Sequence, residues 1–115
     1  MGIIENFENM LARGQDSALL RFGLGSEYLK QERFVEAMSH LQFAIKQNPD
    51  YSAAYKLLGK AQSEGGDTNA AMQTYETGIA IAENSGDKQA AKEMQVFLKR
   101  LKKKSAETAN DSIQI

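Results

Sequence analysis

Leu24-Gly25-Ser26-Glu27-Tyr28, trailed by Ala37, Leu41, Ala44 and Pro49, decides the fold because it returns. A shift of 34 residues carries Leu24-Gly25 onto Leu58-Gly59, Ala37 onto Ala71, Leu41 onto Tyr75 and Ala44 onto Gly78. An internal period of this size is the mark of a chain built by stacking one helix-turn-helix unit on another.

Working outward, helical spacing accounts for the rest of the chain. Ile3, Phe7 and Met10 share a face and predict a helix over 3–12, stopped by Gly14. Asp16 or Ser17 starts the next helix, whose stripe is Leu20, Leu24 and Tyr28. Phe34, Met38, Leu41 and Ile45 define a third, ended by Asn48-Pro49, since proline disfavours helix in the residue before it. Ala54, Leu58 and Ala61 define a fourth, broken by Gly65-Gly66. Asp67 caps a fifth, over about 68–84, with Ala71, Tyr75, Gly78 and Ala82 in its stripe. A last helix is expected over 88–104, with Ala90, Met94, Phe97 and Leu101 in one row. Residues 105–115 lack amphipathic period and read as a disordered tail.

Composition narrows the function classes. The 115 residues suit one domain, with 42% hydrophobic and 25% charged residues. Net charge near −1 commits the whole molecule to no polyanion. The absence of cysteine excludes disulfides, thiolate nucleophiles and sulfur-ligated metals. A single histidine, His40, supplies neither a zinc constellation nor a nucleophilic triad, and reads as a surface or groove-rim residue. Gly23-Leu24-Gly25 lies inside a helical pattern with no Gly-Lys-Ser/Thr after it, so it is no phosphate loop. No apolar run approaches a membrane span, and Met1–Asn6 has no signal-peptide pattern. The expectation is a cytoplasmic, non-enzymatic protein with no cofactor, no metal and no small-molecule substrate.

The repeat resembles the tetratricopeptide family, in its small bacterial type. That pattern is a 34-residue unit with Trp, Leu-Gly, Tyr, Ala, an aromatic, Ala and Pro in order. Residues 18–51 match at Leu24, Gly25, Tyr28, Ala37, Ala44 and Pro49, with Leu41 for the aromatic and Arg21 for the tryptophan. Residues 52–85 match at Leu58, Gly59, Ala71 and Tyr75, with Tyr55 in the tryptophan place, Gln62 for tyrosine and Glu83 for proline. Glycine costs a helix about 1 kcal/mol against alanine. Gly25, Gly59 and Gly78 fall where the family crosses helices closely; Gly23 has no such reason and leaves either a tolerated substitution or room for a ligand backbone. The resemblance implies an all-α right-handed superhelix of antiparallel helix pairs, with the first and last helices as caps.

It also implies a concave groove, lined by the leading helix of each repeat, that receives a peptide or partner helix. The groove places carried over are Leu19, Phe22, Ser26, Leu29 and Lys30, then Ala53, Lys56, Lys60, Ser63 and Glu64, then Ala90 and Met94 from the last helix. Lys56 and Lys60 stand one turn apart and predict a two-lysine patch beside an apolar shelf. The family's carboxylate-clamping subset is not matched, because Phe22, Ser26, Leu57, Ala53 and Ala91 supply few of its groups. Two alternatives stand beside the adaptor reading. One is a weak homodimer closing on apolar faces with Ile3 and Phe7. The other is nucleic-acid contact through Lys99, Arg100, Lys102, Lys103 and Lys104. The competing account of that basic run is cations at a helix C-terminus meeting the negative end of its dipole.

Overall fold

The computed structural model describes residues 2–113, side chains through residue 108, as six helices in chain order. They are α1 (Ile3–Ala12), α2 (Ala18–Lys30), α3 (Phe34–Gln47), α4 (Ser52–Glu64), α5 (Thr68–Ser85) and α6 (Lys88–Ile113). No strand occurs among the described residues.

Local chemistry sets the boundaries. Ser17 caps α2 by accepting from the Leu20 amide at 3.1 Å, which leaves Asp16 for another task. Asp67 accepts from the Ala70 amide and Asp87 from the Ala90 amide. Gly66 and Gly86 turn the chain at positive φ of 96° and 80°. Thirty-four residues before Gly66, Glu32 holds the corresponding left-handed place at φ 59° without glycine's freedom.

The expected end of α6 was wrong. The helix does not stop near Lys104 but continues to Ile113. From residue 88 onward there is neither glycine nor proline to stop it, and the polar run from Ser105 to Ser112, middling in helix propensity, does not break the backbone pattern set by the residues before it. Residues 114 and 115 lie outside the described residues.

Packing repeats with the sequence. α2 packs on α3, α4 on α5, and α4 touches α2 across the repeat. α6 packs on α5 and touches α4, so it stands in the leading-helix place of a third unit. One core joins Leu24, Tyr28, Leu41 and Leu58; the next joins Tyr75, Ala82, Met94 and Leu98. At Gly25 an added Cβ would stand 2.5 Å from Leu41 Cγ, and at Gly59 it would enter the Tyr75 ring. The family's small residues therefore stand where a large side chain of the following helix, Leu41 or Tyr75, packs onto the bare backbone.

Gly23 makes room for neither a ligand nor an accident. An added Cβ would lie 3.0 Å from the Phe7 ring, so the missing side chain is the seat on which α1 rests.

Candidate functional site

The leading helices α2, α4 and α6 form one side of the stack, and two depressions lie between them. The first, about 220 Å³, runs between α2 and α4 and is lined by Ser26, Leu29, Lys30, Leu57, Lys60 and Glu64. The second, about 280 Å³, lies between α4 and α6 over Tyr75, Phe97 and Leu101, and is rimmed by Lys60, Ser63, Glu64 and Arg100. Lys60 and Glu64 border both, so the two depressions adjoin and make one trough.

Six of the twelve expected groove residues meet there: Ser26, Leu29, Lys30, Lys60, Ser63 and Glu64. The others do not line either depression. Leu19 is 72% exposed at the first turn of α2, and Phe22 stacks on Tyr51 with ring centroids 5.0 Å apart. Ala53 is half-buried in α4. Ala90 and Met94 are core residues, Met94 with no exposed surface. Gly78 leaves a hole on α5, and the Met94 thioether fills it so closely that a Cβ at 78 would stand 2.6 Å from its sulfur.

The two-lysine patch is also not as expected. Lys56 Nζ donates to Glu93 Oε2 at 2.9 Å, tying α4 to α6, while Gln89 holds the other oxygen of Glu93. The Lys56 hydrogen bond, with help from Gln89, keeps the Glu93 carboxyl below its usual range. Lys60 has only a loose partner, Glu64 at 3.9 Å, and stays exposed. Leu57, Tyr75, Phe97, Arg100 and Leu101 were missed. One signal could have found Phe97: it stands 34 residues after Ser63.

His40 is not at the groove rim. It lies in a polar network on the other flank of repeat one. The Arg21 guanidinium reaches His40 Nδ1 at 3.2 Å, and His40 Nε2 faces Glu8 Oε1 at 3.3 Å. The Tyr28 hydroxyl donates to the same Glu8 oxygen at 2.9 Å. Since Nδ1 must accept from Arg21, the proton sits on Nε2 and the ring is neutral. Burial first, and the Arg21 charge after it, push the His40 pKa down despite Glu8. Arg21 also binds Asp16 through two nitrogens at 2.9 Å each, and Gln47 joins them, holding the Asp16 pKa at about 2. The Arg21 guanidinium carbon lies 4.2 Å from the Phe43 ring centroid, so a stacked cation fills the place where the pattern has tryptophan. In repeat two the Tyr28 and His40 places hold Gln62 and Thr74, joined by a 2.6 Å hydrogen bond.

A family model for the tetratricopeptide repeat matches residues 28–94. The chain belongs to the tetratricopeptide repeat family. A TPR repeat-containing protein of Pseudomonas aeruginosa is 54% identical over 86% of this chain and 94% of its own length. The solution structure of a Bordetella parapertussis protein is similar at 46% identity and TM-score 0.82, covering 92% of each chain. The TPR2B domain of yeast Sti1, solved in complex with pHsp70, shares the fold at TM-score 0.81 and 18% identity, over 88% of this chain and 81% of that one. Among the described residues, no group of three or more His, Cys, Asp or Glu is placed to hold a metal ion. No described helix is long and apolar enough to cross a membrane.

Proposed function

We propose that this tetratricopeptide chain is an adaptor that docks a peptide or partner helix in the trough between α2, α4 and α6. The observation that carries the reading is the depression over Phe97, Tyr75 and Leu101. Its floor is apolar, its volume sits just below the roughly 300–1,000 Å³ of small-molecule sites, and Arg100 stands exposed on its rim. Such a site takes one large apolar side chain, with a carboxylate nearby for Arg100. Lys60, loosely held, offers a second cation along the trough. Yeast Sti1 supports only the premise that this fold accommodates a partner; its own partner is not carried over.

Selection from a random peptide library, followed by calorimetry, tests the reading. The expected ligands pair a large apolar residue with an acidic neighbour, and Phe97→Ala or Arg100→Glu weakens them about tenfold or more. Selected peptides whose amide-shift footprint falls on α3 and α5 would remove the trough assignment.

A further inference from the structure

The corrected length of α6 changes what its lysines mean. With the helix running to Ile113, residues 99–104 are in its middle, beyond reach of the C-terminal dipole, which acts within the last turn. The account of the basic run as helix-end stabilisation therefore fails.

Lys88, Lys92, Lys99 and Lys103 follow one another at intervals of four, seven and four, which sets them in one row on α6. All four are exposed. Their Cα atoms span about 22 Å at the helical rise of ~1.5 Å per residue. Among the described residues, none of the four lies in an ion pair; the α6 cation that does is Lys102, 3.9 Å from Glu76. Lys88–Lys92 and Lys99–Lys103 are like-charge pairs one turn apart, which cost a helix stability where a glutamate would add it. A face serving only solubility gains from mixed signs.

The near-zero net charge conceals a segregation. Residues 1–87 carry seven Lys and Arg against twelve Asp and Glu, and residues 88–115 carry seven against three.

We propose that the lysine row of α6 is a docking surface for the phosphate backbone of duplex nucleic acid, independent of base sequence and of the peptide trough. Three features select this partner. The row has one exposed large apolar residue, Val96, so it offers neither the apolar core of a protein interface nor an anchor for a bilayer. It carries no aromatic residue to stack unpaired bases. Lysines facing a polyanion with condensed counterions gain by releasing them, whereas exposed pairs with single carboxylates gain little.

Fluorescence anisotropy of the full chain with a labelled duplex of mixed sequence is the test. Four phosphate contacts predict a slope of about −4 in log K against log salt, or a loss of roughly a hundredfold between about 50 and 200 mM. Reversing Lys88, Lys92, Lys99 and Lys103 to Glu, with helicity checked by circular dichroism, abolishes binding. The quadruple change to Gln, which leaves no reversed charge to unfold the helix, flattens the slope. Lys46→Glu, a charge reversal at an exposed lysine of α3 away from the row, leaves duplex binding intact. The proposal is overturned by absence of binding at about 50 mM salt, by a Gln variant that binds like the parent, or by loss of binding in Lys46→Glu. Adsorption to phosphatidylserine vesicles without duplex binding also overturns it.

Discussion

The Phe7 ring rests against the bare Cα of Gly23, and this contact seats α1 on the repeats. α1 has no fully buried residue of its own, and Glu8 supplies its polar tie through Tyr28 and His40. Gly23→Leu removes the seat. Amide exchange is expected to lose protection across residues 3–12 while α4 and α5 keep theirs. Loss across the whole chain at once would mean that α1 is integral to the cooperative fold. The same contact bears on self-association, since Phe7 is spent within the chain.

Gly59→Ala tests the helix crossing. The new methyl would enter the ring of Tyr75, which is 3% exposed and already packed against the Phe97 ring with centroids 5.8 Å apart. Overpacking costs about 1–3 kcal/mol, which outweighs the ~1 kcal/mol gained in helix propensity. The melting temperature should fall by several degrees; a rise would show that the α4–α5 crossing gives way freely.

Glu32→Gly should stabilise. Glu32 stands at φ 59°, where the next repeat has Gly66 at φ 96°. A non-glycine residue there stores roughly 1 kcal/mol or more, partly offset by glycine's greater freedom in the unfolded chain. The expected gain is a few tenths of a kcal/mol to about 1 kcal/mol, read as a higher denaturant midpoint at unchanged slope. Gly66→Ala should act in the opposite direction.

Mild acid should loosen repeat one through His40. Its folded pKa is lowered, so between that value and the unfolded ~6.5 the unfolded chain binds more protons. The contribution is complete above about 6.5 and is lost as pH falls through the folded value. Thermal midpoints should drop as pH falls below about 6.5, and His40→Asn should flatten that slope. A midpoint that rises on acidification would mean that a charged His40–Glu8 pair prevails. Asp16 acts in another window: its stabilisation holds above its unfolded value near 3.8 and disappears as pH falls through about 2.

Much of this was legible in the chain. The shift from Leu24-Gly25 to Leu58-Gly59 named the units, because each must present the same small and apolar residues to its neighbours. The roles of Gly23, Lys56 and Met94 were not legible. Each depends on a residue far along the chain: Phe7 for Gly23, Glu93 for Lys56, Gly78 for Met94. The Arg21–His40–Glu8 network was hidden for the same reason, since its members come from three helices.

The sequence by itself determined the period, the family and the order of the six helices, though not the end of α6, since these follow from apolar spacing and turn residues read locally. The tertiary structure alone decided which side chains face the trough. A leading helix has more apolar and charged positions than its neighbours can cover. Which of them are taken up depends on the space each neighbour leaves, as Gly78 does for Met94, and on the charges brought opposite, as Glu93 is to Lys56.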